Sequence, residues 1–333
     1  MSSNRRHFLK KSAMVGGGLL LGSDLLREVV AGVSPSIPEG TSKIIIPTDD
    51  GLRDARGNVI ADRVGGLLDR GMEGLFGSSA EDAWRSLVEP RDIVGLKVNC
   101  LSRRRMSTHV ELTWAVVERL EHVGIPRNHI IIWDRSDRDL REAGYRLNKR
   151  GNDVRCYGTD VVGFHSRLWM YGSVGSMCSR ILTDHCTKII NLAVLKDHGI
   201  CGVTLGMKNF FGAIHNPNKY HGNVGDPYIA DLNALPLIRR KTVLTIIDGL
   251  TGQYNGGPPY MPQWTWDFNG LLLGIDPVAL DVVGWGLIEK KRAEKGMPSL
   301  KEAKREPTYI ATAADVQHRI GTNDPDRIQV VSI

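Results

Sequence analysis

The sequence predicts an α/β fold, a largely parallel sheet with helices on both faces, and three observations lead there. Short β-branched runs alternate with segments whose apolar residues recur at helical spacing, from residue 43 to 331. Helix starts are written between them, as Ser79-x-x-Asp82 and Asp276-Pro277. The strands end in polar or ionisable residues, where parallel sheets gather their ligands.

Residues 43–47 (KIIIP) form the first strand, and Val64, Leu67, Leu68, Met72 and Leu75 mark the first helix. A second helix opens at Ser79 and stops before Pro90. Residues 93–99 (IVGLKVN) read as a buried strand. Thr108-x-x-Glu111 opens a helix that runs to Val123. A strand at 129–133, a helix at 136–147 and a strand at 154–157 follow. The plan then repeats: strand 188–194, helix 227–237, strand 242–247 and strand 271–275. Asp276 caps the next helix, with Pro277 in its first turn and Lys290, Lys291, Arg292 and Lys295 near its C-terminus, where cations suit the dipole. A helix at 312–319 and a strand at 327–331 close the chain. Residues 42–333 are expected to form one α/β domain, in one body or two lobes. Two long irregular stretches, 197–226 and 251–267, are the places to expect function.

The N-terminus has its own signature. Arg5 and Arg6 precede Phe8, Leu9 and Lys10, and an apolar, small-residue stretch follows to Gly22. This reads as a twin-arginine signal peptide over 1–31, with Val29-x-Ala31 as a small-residue cleavage site. The expected partner is the twin-arginine translocase, and the expected location periplasmic or extracellular. No apolar run of the mature chain has membrane length, so no membrane span is expected there.

Removing the five bases and two acids of residues 1–31 leaves 38 bases against 35 acids, a net of +3 in place of +6. Half of the basicity therefore belongs to the address. Only Arg103-Arg104-Arg105 remains as a basic cluster, too little for a nucleic-acid surface. The five cysteines are scattered and form no CxxC, so neither a disulfide framework nor a ferredoxin-type iron–sulfur motif is read.

The chemistry concentrates in residues 196–212. Lys196, Asp197 and His198 end one strand, and Gly199, Gly202, Gly206 and Gly212 space the following loop around Lys208 and Asn209. Such a loop brings backbone N–H groups and lysine charge to a small anion, without Walker or GxGxxG spacing. Lys97 and Asn99 end another strand, Asp134 follows a third, and Asp248-Gly249 a fourth. His215 and His221 lie on a polar loop and read as acid/base groups or metal ligands. In this reading His198 is the general acid/base, its pKa tuned by Asp197 and Lys196. Lys208, Asn209, Gly202, Gly206, Lys97 and Asn99 hold the cofactor or anion.

The stretch INLAVLKDHGICGVTLGMKNFFGAIH, with IVGLKVN before it and LLLGIDPVALD after it, resembles the family called domain of unknown function 362. A shorter likeness, His198 to Lys208 around a glycine turn, is to the N-terminal domain of nickel-pincer lactate racemases. That resemblance implies Lys208 as a cofactor tether, His198 as a base, and His215 or His221 as a metal ligand. The implied cofactor is a transition metal or a nickel-pincer-like group. Two functions stay open: a metal- or cofactor-dependent oxidoreductase or isomerase acting on a small anionic substrate, and a non-catalytic binding protein for a small anion or metal.

Overall fold

A computed structural model of the chain describes residues 40–333. The signal read at 1–31 lies outside the described residues. In chain order the strands are β1 (Ser42–Ile46), β2 (Val94–Lys97), β3 (Ile130–Trp133), β4 (Arg155–Cys156), β5 (Phe164–Tyr171), β6 (Val174–Ser179), β7 (Lys188–His198), β8 (Gly202–Thr204), β9 (Thr242–Gln253), β10 (Thr265–Trp266), β11 (Gly270–Gly274) and β12 (Ile328–Ser332). The main sheet has the order β12-β1-β11-β9-β7-β2-β3-β4, with β8 paired to β7 and β10 to β9. Every neighbour pair along that order is parallel except those of β11, which runs against both β1 and β9. The predicted fold class is the observed one.

Helices cover both faces because the strands are apolar on both. Along β7, Ile190 and Leu192 join one core while Ile189, Ala193 and Leu195 join the other. The first core takes α1 (Ala61–Phe76), α2 (Ala80–Leu87), α3 (Val110–His122) and α4 (Asp137–Ala143). A short α5 (Thr159–Val162) leads to the β5–β6 hairpin. The second core takes α6 (Tyr228–Ala234), α7 (Pro236–Lys241), α8 (Pro277–Glu294) and α9 (Tyr309–Ala314). One sheet separates both cores within one compact unit, so the two-lobe alternative drops out.

Several elements differ from their predicted spans for local reasons. The helix expected at 227–237 breaks at Leu235 (φ −54°, ψ 125°), because Pro236 cannot continue a helix but suits the first turn of the next. The helix expected to reach residue 147 ends at Ala143, where Gly144 takes φ 104°. The last helix lies a few residues earlier than predicted, at Tyr309–Ala314. The β5–β6 hairpin forms a separate two-stranded sheet that the apolar pattern did not announce. The largest difference is β7, which runs on to His198 and folds back onto β8. That turns the start of the expected loop into sheet and fixes which way its side chains face.

Asp276 starts α8 as its sequence implies. One carboxylate oxygen accepts the N–H groups of Val278 (2.9 Å) and Ala279 (3.0 Å). The other accepts the Ser42 hydroxyl (2.6 Å) and Thr322 N–H (2.9 Å), tying the helix start to both ends of the described chain. Asp276→Ala is therefore expected to lower stability in urea unfolding by about 2 kcal/mol, with Asp276→Asn losing clearly less because it keeps one acceptor.

Candidate functional site

Strands β7, β2 and β3 lie side by side and parallel, so their carboxyl ends deliver Lys196–His198, Lys97 and Asp134 to one edge. Lys97 is fully buried. Its ammonium donates to Asp134 Oδ1 (2.7 Å), to the Val98 carbonyl (2.6 Å) and, at 3.4 Å, to Asn209 Oδ1. The second oxygen of Asp134 accepts the Cys100 N–H at 2.7 Å. Lys97 is thus a paired cation that joins the ends of β2 and β3.

Lys196 is also fully buried, and its ammonium donates to Asn99 Oδ1 (2.9 Å), Ser102 Oγ (2.8 Å) and the Met106 carbonyl (3.0 Å). All three lie on the loop after β2. Burial pushes the Lys196 pKa down to about 7. Its geometry makes it the pin of that loop.

Side chains of a strand alternate, so Asp197 leaves the edge on the opposite side from Lys196 and His198. Asp197 is fully buried, accepting the Gly257 N–H (2.7 Å) and an ion pair from Arg305 (2.7 Å). Arg305 also reaches Asn255 Oδ1 (2.8 Å). Asp197 therefore anchors the second long loop and makes no contact that would tune His198.

His198 is 5% exposed, and its Nδ1 accepts the N–H groups of Ile200 and Cys201, both at 3.1 Å. A ring nitrogen that accepts two N–H bonds carries no proton, so the neutral ring holds its proton on Nε2. Burial, with the charge of Lys208 next, pushes the His198 pKa down to about 2. The expected base is, in this geometry, a neutral donor.

Lys208 and Asn209 lie in the short helical turn Lys208–Ala213. Lys208 Nζ sits 3.1 Å from His221 Nε2 and 4.2 Å from the centre of the Phe211 ring. His221 Nδ1 lies 3.0 Å from the Pro217 carbonyl, which only accepts, so that nitrogen donates and Nε2 receives from Lys208. Burial pushes Lys208 down to about 8, and burial with the Lys208 charge lowers His221. The His198 and His221 rings stack with centres 5.4 Å apart.

These groups line a cavity of about 480 Å³. Of the predicted residues it takes in Asn99, Asp134, Lys196, His198, Gly199, Lys208, Asn209, Gly212 and His221. Gly202 and Gly206 are not in its wall. Gly202 has φ 77°, and a Cβ there would meet the Arg305 carbonyl at 2.3 Å. At Gly206 a Cβ would meet a Thr245 methyl at 2.9 Å, beside Asp281, whose carboxylate takes the Gly206 and Met207 N–H groups. Both glycines let protein approach protein. His215 is exposed and packs edge-on against Phe164 at 5.0 Å, outside the pocket. Among the described residues no group of three or more His, Cys, Asp or Glu is arranged to hold a metal ion. A lysine-linked group fits only through Lys208, with His221 as its neighbouring imidazole.

Asp248 serves elsewhere. It accepts the backbone N–H (2.7 Å) and Nδ1 (2.9 Å) of His109 and the Leu250 N–H (3.0 Å), anchoring the start of α3. The cysteines are buried free thiols whose pKa values burial raises, to about 12 at Cys156, Cys178 and Cys186. Residues that sequence reading missed are Thr204, Phe211, Arg135 and, behind the pocket, Arg305 and Asn255. Thr204 is 5% exposed, and its hydroxyl has no hydrogen-bond partner among the described residues. Thr204 and Phe211 lie within 196–212, whereas no local pattern marks Arg135, Arg305 or Asn255.

No curated protein matches the chain. Among solved structures, a Thermotoga maritima protein is similar with a TM-score of 0.43 at 8% identity, over 72% of this chain and 60% of that one. This chain thus spans less than two thirds of that protein's length. The model of the family described as Domain of unknown function (DUF362) matches residues 94–286, which carry β2, β3, β7 and the whole pocket wall. The chain belongs to that family.

Proposed function

We propose that this protein is exported in a folded state and binds a small anionic molecule in the pocket, where Lys208 and His221 perform acid–base chemistry on it. The observation that carries the reading is how Lys208 is partnered. An ammonium has three hydrogens to donate. Lys97, Lys196 and Lys241 each reach three oxygen acceptors. Lys208 is buried, at 6% exposure, and Lys241 only half-buried, yet among the described residues the hydrogen-bond partner of Lys208 is a single imidazole nitrogen. A buried donor left short of acceptors is costly, and an anion in the cavity supplies what the protein does not.

The division of labour follows from the tautomers. His221 has a lone pair on Nε2 beside Lys208, so this pair passes a proton to and from the ligand. His198 keeps its proton on Nε2 and its lone pair tied to backbone N–H groups, so it donates a hydrogen bond. Proton transfer at a carbon next to a carboxylate, an isomerisation, is the reaction class these groups support without further parts. An oxidoreductase of the same site needs a redox cofactor, which a Lys208 linkage would hold. Export rests on Arg5 and Arg6 and the apolar stretch after them. No helix among the described residues is long and apolar enough to cross a membrane.

Two expectations test the site. A lysine pKa lowered to about 8 means that the charge disappears as pH rises through 8 rather than through the ordinary lysine range. Calorimetric affinity for a small carboxylate such as lactate should therefore be highest below pH 8 and fall above it. Lys208→Met should weaken binding on the order of tenfold or more and erase that limb; affinity independent of both pH and Lys208 sinks the reading. Lys196→Met should instead speed hydrogen exchange across residues 99–106 while binding stays dependent on Lys208.

A further inference from the structure

Resting on the anion-pocket reading, the geometry points to a covalent role for Lys208: we infer that its amine condenses with the carbonyl carbon of a small 2-oxo acid to form an imine. Four features of the site lead there. Lys97 is held by the Asp134 carboxylate at 2.7 Å and Lys196 by three oxygens, so neither amine is available. Lys208 has no carboxylate partner among the described residues, and one side of it is an apolar ring. A lysine desolvated in this way is the kind activated as a nucleophile. Its hydrogen-bond partner is the lone pair of a neutral imidazole, a group that takes a proton and returns it.

The second feature of a 2-oxo acid, its carboxylate, also finds donors. Thr204 lines the cavity with a hydroxyl that is buried and unpartnered. His198 brings the Nε2 proton that its backbone bonds leave in place. The cavity of about 480 Å³ has ample room for a molecule of a few carbons.

The step balances without an oxidant or reductant. Lys208 gives one proton to His221 Nε2, and its free amine attacks the carbonyl carbon. A C–N bond forms, and the carbonyl oxygen becomes a hydroxyl on taking a second proton from the attacking nitrogen. His221 returns a proton to that hydroxyl, which leaves as water as the C–O bond breaks. The net change is ammonium plus ketone to protonated imine plus water. A Lys208 pKa near 8 keeps a usable fraction of free amine near neutral pH.

The test is reductive trapping on the purified mature protein, with glyoxylate or pyruvate and cyanoborohydride, read by intact mass and peptide mapping. The expected result is one adduct per chain, on Lys208, slowed by excess lactate, which has no ketone or aldehyde carbonyl. Lys208→Arg and Lys208→Met, each shown folded by its thermal melt, should lose that adduct. His221→Ala should slow trapping on the order of a hundredfold. Adducts spread over surface lysines according to exposure, or unchanged in the Lys208 variants, overturn the proposal. Trapping at the wild-type rate in His221→Ala overturns the proton-transfer role. Lactate binding separates the two readings: binding that depends on Lys208 without trapping removes the imine alone, and neither binding nor trapping removes both.

Discussion

Asn209 is the side chain through which the pocket is joined to the sheet. Its amide nitrogen donates to Asn191 Oδ1 at 2.7 Å and to the Lys97 carbonyl at 3.2 Å, while its oxygen receives Asn99 at 3.1 Å and Lys97 Nζ at 3.4 Å. One residue thus holds β2, β7 and the turn that carries Lys208. Only a carboxamide offers two donors and two acceptors at once. A carboxylate there would lose both donated bonds, and a leucine all four. Asn191 passes the connection on to the Gly206 carbonyl (2.8 Å), and Asp281 of α8 takes the Gly206 and Met207 N–H groups of the same turn. The amine of Lys208 is placed by its own backbone, itself held from the sheet and from a helix. Its head therefore needs no protein anion to position it.

That separation of positioning from pairing explains the electrostatics of the edge. Three buried lysines converge there, and a carboxylate is spent on only one of them, Lys97. Lys196 is satisfied by neutral oxygens, and Lys208 faces the cavity. Asp197, the acid nearest in sequence, is turned away and neutralised by Arg305. Two acids, Asp134 and Asp139, do lie in the pocket wall, but Asp134 is paired with Lys97, and among the described residues neither is a salt-bridge partner of Lys208. Both imidazoles are kept neutral in consequence, since burial and the Lys208 charge act on them in the same direction.

The sequence made the local parts of this arrangement legible. Asp276 is recognisable because a cap acts within three residues, and Lys97, Lys196 and Lys208 because strand ends and glycine turns are contiguous patterns. What it hid depends on the length of β7. With the strand ended at Val194, Asp197 and His198 read as neighbours on a loop. With the strand continued to His198, alternation sends them to opposite sides. His215 and His221 shared a loop in sequence, but the turns between them aim one at Phe164 and the other at Lys208. Arg305 was invisible because it meets Asp197 from far along the chain, and Asn255 because its partner is Arg305. The glycine spacing suggests close approach to a ligand, yet what approaches Gly202 and Gly206 is the protein itself.

The energetics of Lys208 give the strongest reason to treat the pocket as functional. Lowering a lysine pKa from 10.5 to about 8 corresponds to on the order of 3 kcal/mol against the charged form. A methionine in the same apolar surroundings would avoid that cost, and a nearby carboxylate would cancel it, as Asp134 does for Lys97. The chain does neither, although the same edge shows it can build a buried ion pair at 2.7 Å. A destabilised amine on a turn hydrogen-bonded to the sheet and to α8, beside a neutral base and an open cavity, is what acid–base or covalent chemistry requires. On the anion-pocket proposal, an anion bound beside the amine would recover the stability forgone at this position.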